Sequence, residues 1–226
     1  MSIQVPANFL ELVQRTCKEC FVTAPTTVVD QTGMAERMVG WVCDAVTDIE
    51  TAHSDWGWMF KAFSFSTIAG QSEYTPVQCG ITDHENWDLE QIRNQVTSVG
   101  TDSEIFMDQI DYNTWRDAYL YGATRNVRSR PLQFAISPTQ GLCVGPVPDN
   151  LYTVTGKYYR ISQTMDVTND NDVPLMPSNY WMMIVYKAMM YYGSAMNAPE
   201  VYARGEIEFG KKMARISNNR LPEMSF

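Results

Sequence analysis

Residues 177–216 read PSNYWMMIVYKAMMYYGSAMNAPEVYARGEIEFGKKMARI, and their spacing decides the fold. Between Tyr180 and Ala198 the one charged residue is Lys187, while Trp181, Ile184, Val185, Ala188, Tyr192 and Ala195 recur at helical spacing. The opposite face carries Met182, Met183, Tyr186, Met189, Met190 and Tyr191. A helix apolar nearly all round needs cover on more than one side. Two readings satisfy that need: a neighbouring subunit lies against the second face, or the helix runs through the centre of a large core. The next helix is amphipathic, with Val201, Tyr202, Gly205, Phe209, Met213 and Ile216 on one stripe. Glu200, Arg204, Glu208, Lys211, Lys212 and Arg215 supply its charged face. Between the two, Asn197 reads as an N-cap closed by Glu200 in a capping box, with Pro199 in the first turn.

Working outward, Asn8 and Glu11 form a capping box for a helix from Phe9 to about Cys20. A second helix, opened by Thr32, continues to about His53 with Met34, Met38, Trp41, Val42, Ala45, Val46, Ile49 and Ala52 inward. After Trp56-Gly57-Trp58 the period changes to two, and residues 61–67 with 73–75 read as a β-hairpin. No clear period runs from Gly80 to Gly100, and a short helix fits within 108–122. Strand signals return at 133–136, 142–144 and 152–160, read as a meander. The fold class expected is α+β: N- and C-terminal helices packed as a bundle, with an inserted antiparallel β-rich lobe. The boundaries are 1–55 with 177–217 for the bundle, 56–176 for the lobe and 218–226 for a C-terminal tail.

Composition narrows the function. The chain has 226 residues, 45% hydrophobic and 12% aromatic, which supports a sizeable core. A formal net charge of −9 argues against general affinity for nucleic-acid phosphates. No charged n-region followed by an apolar core opens the chain, so no signal peptide is expected and MSIQVPANFL reads as a mature beginning made in cytoplasm. Lys187 and four tyrosines argue against a membrane span at 180–198. Five cysteines, Cys17, Cys20, Cys43, Cys79 and Cys143, are read as reduced and buried.

Chemistry-bearing motifs are incomplete. Asp83-His84-Glu85 and His53 lack an accompanying nucleophile motif. Cys17 and Cys20 lack the two further ligands of a zinc site. Residues 166–172, DVTNDND, lack the glycine and terminal glutamate of a calcium loop. Arg125, Arg128 and Arg130 form the local basic cluster, either a solvated loop or a docking patch for an acidic partner. The expectation is no cofactor, no metal and no enzymatic activity.

The helical start from Leu10 to Ala52, Trp56-Gly57-Trp58-Met59-Phe60, Trp181-x-x-Ile184-Val185 and Asn197-Ala198-Pro199-Glu200-Val201 together resemble the head-to-tail adaptor proteins of tailed bacteriophages, including those called tail tubular protein A. Between Gly80 and Pro131 the resemblance carries no match. It implies a homo-oligomeric ring, commonly of twelve copies, in the virion neck: the portal protein above, a tail nozzle, tube or terminator protein below, and DNA passing through without sequence-specific binding. On that view Met182, Met183, Tyr186, Met189, Met190 and Tyr191 contact the neighbouring subunit. Arg204, Lys211, Lys212, Arg215, Leu221, Met224 and Phe226 dock the portal, and Trp56, Trp58, Arg125, Arg128 and Arg130 lie at the tail side. The alternative is a ligand- or glycan-binding β module of a phage tail, suggested by Trp56, Trp58, Trp87 and Trp115.

Overall fold

The structure is a computed structural model that describes residues 6–53 and 56–218, with side chains described as far as 216. In chain order the elements are α1 (Phe9–Glu19), α2 (Gly33–Thr51), β1 (Phe60–Ser66), β2 (Glu73–Tyr74), β3 (His84–Val96), β4 (Ile105–Phe106), β5 (Asp108–Gln109), α3 (Tyr112–Tyr119), β6 (Gln133–Ile136), β7 (Leu142–Gly145), β8 (Tyr152–Arg160), α4 (Met182–Ala195) and α5 (Pro199–Asn218). They divide into two units, Met1–Trp58 with Ser162–Phe226, and Met59–Ile161. The α+β class and the helices flanking a β-rich insertion are as the sequence indicates.

In the helical unit α4 is central and packs against α1, α2 and α5. Met183, Ile184, Val185, Ala188 and Met189 have no exposed surface, and neither do Phe9, Leu12, Val13 and Cys17 of α1 or Met38, Val42, Ala45 and Val46 of α2. Each large side chain so buried contributes about 1.5–3 kcal/mol. The second apolar face of α4 is therefore covered largely by the subunit's own helices.

The N-terminal end of α1 is accounted for. Asn8 Oδ1 accepts from the Glu11 N–H at 2.9 Å, and Glu11 Oε2 accepts from the Ala7 N–H at 2.8 Å. The remaining first-turn donors, the N–H groups of Phe9 and Leu10, go to the carbonyls of Asp172 and Asp170. Loop 166–172 thus works as a cap. Asp170 Oδ1 also accepts from Thr27 Oγ1 and the Val28 N–H, and Asp172 Oδ2 accepts from the Asp166 N–H.

Residues 162–176 belong to this unit, whereas the sequence places them with the lobe. Ser162 Oγ and the Gln163 N–H both donate to Glu50 Oε2, and Met165 and Met176 are buried. The link between α4 and α5 also differs from expectation. Asn197 adopts φ 51° and terminates α4, with the Ala198 N–H reaching back to the Gly193 carbonyl at 2.9 Å. This is the long bond of a Schellman motif, in which asparagine tolerates the left-handed conformation better than most residues. Ala198 precedes the first helical residue, Pro199, so no Asn197–Glu200 capping box forms.

The second unit is a two-sheet sandwich. Its sheets run β1-β8-β3-β4 and β2-β7-β6-β5, antiparallel throughout except for β5 beside β6. Phe63, Phe65, Trp87, Ile92, Val154 and Tyr158 from the first sheet meet Tyr74, Phe134, Leu142 and Val144 from the second. The expected hairpin of 61–67 with 73–75 does not form, because β1 pairs with β8 and β2 with β7. At the corner between them the Tyr74 hydroxyl accepts from the Ile68 N–H and donates to the Gln71 carbonyl, which carries the chain from one sheet to the other. Nor is there a meander: β6 and β7 pair, but β8 crosses to the first sheet. The aperiodic stretch at 80–100 contains β3, whose pairing with β8 shifts register between Asp88 and Arg93. That irregularity breaks the two-residue period from which a strand is read. Helix α3 covers the outer face of the second sheet, with Trp115 wholly buried against Ala135 and Cys143.

Candidate interaction surfaces

The acid–base triplet is a packing feature. Asp83 accepts from the Tyr158 hydroxyl at 2.6 Å and from Lys61 Nζ at 3.3 Å. The His84 ring lies 4.5 Å from that of Trp87, and burial pushes its pKa down despite the adjacent Asp83. Among the described residues no group of three His, Cys, Asp or Glu side chains is placed to hold a metal. No described helix is long and apolar enough to cross a membrane. Cys17 of α1 and Cys20, the residue that ends the helix, are both buried.

The residues expected at interfaces separate by exposure. Met182, Met183 and Met189 are 6%, 0% and 0% exposed within the single subunit, so they have almost no surface to offer a neighbour. Tyr186, Met190 and Tyr191 retain partial exposure. Tyr191 bonds to Asp48, which Lys187 also reaches at 3.2 Å. Arg204, Lys211 and Arg215 are exposed on α5, and Lys212 is half-buried. Arg204 pairs with Glu19 at 3.1 Å and Lys211 with Glu208 at 2.6 Å. Leu221, Met224 and Phe226 lie outside the described residues.

The tail-side set is broken up by burial. Trp56 is 1% exposed, donates its indole N–H to the Ile49 carbonyl at 2.7 Å and stacks on Trp58 at 4.4 Å, so it belongs to the interior of the helical unit. Trp58 is half-buried, with its ring 5.9 Å from that of Tyr180. Arg130 is a structural residue: Nε donates to Asn94 Oδ1 at 2.7 Å and Nη2 to the Asn94 carbonyl at 2.9 Å. Arg125 and Arg128 are exposed, beside exposed Tyr121 and Val127. The tryptophans proposed to hold a glycan, Trp87 and Trp115, are buried in the sandwich and under α3.

One surface residue escaped the sequence reading. Phe21, two residues past the end of α1, is 85% exposed and held at φ 58°. A left-handed non-glycine residue costs roughly 1–2 kcal/mol, and its sequence neighbours, Cys20 and Val22, give no sign of it. Glycine or asparagine is the usual signal at such a position.

A family model described as the SU10 adaptor protein matches residues 7–223. The chain belongs to the SU10 adaptor protein family. The match includes residues 80–131, where the sequence resemblance found nothing to align. No curated protein sequence matches the chain. As an SU10 adaptor the chain is a bacteriophage adaptor, a virion component that works through contacts with other phage head and tail proteins.

Proposed function

We propose that this SU10 adaptor is the head-to-tail connector subunit of its phage, similar to tail tubular protein A, and assembles as a ring of about twelve copies in the neck. The observation that carries this reading is the family match over nearly the whole chain. The portal lies above the ring and a tail nozzle, tube or terminator protein below it, with DNA passing through the lumen. The net charge of −9 supports the conduit role, because like charge disfavours adhesion of the genome. The role is structural, and no reaction is assigned to it.

The exposed cations Arg204, Lys211 and Arg215 on α5 are the portal-docking candidates, together with Lys212 and, beyond the described residues, Leu221, Met224 and Phe226. Of the six α4 residues expected at a subunit contact, Tyr186, Met190 and Tyr191 are those with surface left for a neighbouring copy. Exposed Arg125 and Arg128 are the tail-side candidates. Native mass spectrometry of the chain mixed with the purified portal ring of the same phage tests the proposal: a ring-sized complex is expected, and a chain that stays monomeric beside portal overturns it.

A further inference from the structure

Helix α1 has an apolar knob at one end and an apolar hole beside the other. The knob is Phe21, two residues past the last helical residue, with Ile207 of α5 also exposed (57%). The Arg204 guanidinium lies 6.0 Å from the Phe21 ring. Arg15 and Arg204 both pair with Glu19, and Lys18 is exposed one turn back, so cations outnumber the one carboxylate that ties them together.

The hole has a volume of about 330 Å³. Val28, Val39 and Val167 give it an apolar floor, Gly40 leaves it open, and Gln31, Thr168 and the exposed Asp30 and Glu36 make the rest of its lining polar, with carboxylates and no lysine or arginine. A cavity of about 150 Å³ lined by aliphatic side chains suffices for a benzene ring. Val167 belongs to the loop that caps the first turn of α1, and the Val28 N–H donates to Asp170 of that loop. Hole and knob are therefore separated by the length of α1, roughly 16 Å for its 11 residues. They cannot meet within one chain.

We infer that Phe21 of one copy inserts into the Val28–Val39–Val167 hole of the next, with Arg204 facing Asp30 and Glu36. The inference rests on the ring reading above and names its contact. A knob and a hole at different places on one subunit make a heterologous contact, which closes into a ring when the rotation permits. Charge selects a second copy as the occupant. Two copies at −9 repel overall, so their contact needs local opposite charge, and this pairing places a cationic cluster against two carboxylates. An aromatic anchor seated in an apolar pocket beside an arginine is the composition typical of an interface hot spot. The exposed left-handed Phe21, unexplained by packing within the subunit, acquires a role.

Two substitutions separate the contact from the fold. Gly40→Leu fills the hole from an exposed helical position where an added Cβ meets no atom within 4 Å, and an unchanged melting temperature is the check that the subunit still folds. Phe21→Asp removes the knob from an exposed site. Native mass spectrometry with the purified portal ring should show the ring-sized complex for wild type and its loss for both variants. Arg204→Glu, at a residue that is also a portal-docking candidate, should lose it as well; partial recovery on adding Glu36→Arg assigns that loss to the contact between copies, and no recovery counts against the Arg204–Glu36 pairing. Rings of normal occupancy from folded Gly40→Leu and Phe21→Asp overturn this contact while leaving the ring reading intact. If wild type forms no ring with portal, both fall.

Discussion

Substituting alanine at four helical glycines should give opposite signs, set by what each new methyl meets. At Gly193 in α4 a Cβ would lie 2.7 Å from the Tyr202 backbone nitrogen and 2.7 Å from its Cβ. At Gly205 in α5 it would lie 2.8 Å from the Tyr186 carbonyl oxygen. At Gly40 and Gly210 it would meet nothing within 4 Å. Alanine gains about 1 kcal/mol of helix propensity over glycine in all four cases. At Gly193 and Gly205 the obstacle is backbone, so α4 and α5 must move apart, and overpacking of this kind costs roughly 1–3 kcal/mol. The crowding should exceed the propensity gain, because separating these helices loosens a contact that runs along both.

The expected net effect is a loss of up to about 2 kcal/mol for Gly193→Ala and Gly205→Ala, and a gain of up to about 1 kcal/mol for Gly40→Ala and Gly210→Ala. For a chain of this size 1 kcal/mol corresponds to roughly 2–4 °C in melting temperature. Urea unfolding followed by circular dichroism at the helical minimum is the suitable assay, since the two units need not unfold together. Gly193→Ala as stable as Gly210→Ala would refute the close approach of α4 and α5, and with it the enclosure of α4.

Asn94 is 1% exposed and serves Arg130 and, through Nδ2, the Pro131 carbonyl at 2.6 Å; Asn94→Ala should destabilise the sandwich by about 1–3 kcal/mol in denaturant titration. Arg130→Lys should not be silent there, because one ammonium cannot reproduce the two-nitrogen contact. The Tyr191 hydrogen bond, aided by Lys187, holds the Asp48 carboxyl below its usual pKa. Its stabilising contribution is therefore present above the unfolded carboxylate pKa of about 4 and lost as pH falls through the folded value. Asp48→Asn should flatten that part of the acid limb of stability against pH, and an unchanged limb would count against the bond. Burial pushes the thiol pKa values up to about 11 for Cys17 and Cys43 and about 12 for Cys20, Cys79 and Cys143. At pH 8 the four buried thiols, Cys17, Cys20, Cys79 and Cys143, should react with a thiol reagent far more slowly in the native chain than in denaturant, with half-buried Cys43 the fastest of the five; rapid native labelling of the four would contradict their burial.

The features legible in the sequence were those with a local cause. The Asn8–Glu11 pair, most of the inward stripe of α2 (Met38, Val42, Ala45, Val46 and Ile49) and the short helix within 108–122 are each written within a few residues, whereas Met34 and Trp41 of that stripe are half-buried and Ala52 is exposed beyond the helix. Pairing between strands is not local. Residues 60–66 and 73–74 have strand character, but their destinations are fixed by β8 and β7, some 70 to 100 residues later. No hairpin rule covers a corner pinned by the Tyr74 hydroxyl. The arginine cluster misled for a similar reason. Arg125, Arg128 and Arg130 look alike in sequence, yet Arg130 is committed to Asn94 across the fold while the other two face solvent.

The helix from Met182 to Ala195 marks the limit of sequence reading most clearly. An all-round apolar surface states how much cover a helix needs and leaves open whether its own chain or a neighbour supplies it. Here α1, α2 and α5 supply most of it, and 0% exposure at Met183 and Met189 leaves those side chains no energy for binding another copy. A ring built from this subunit must draw its contact energy from elsewhere, from the partly exposed Tyr186, Met190 and Tyr191 and from a few exposed apolar side chains such as Phe21 and Ile207. Contacts so small between acidic subunits hold weakly one pair at a time. They become strong when many copies are held together on one template, since each then binds at high effective concentration. On the ring reading proposed above, enclosure of α4 therefore favours a subunit that stays apart in solution and closes into a ring on the portal.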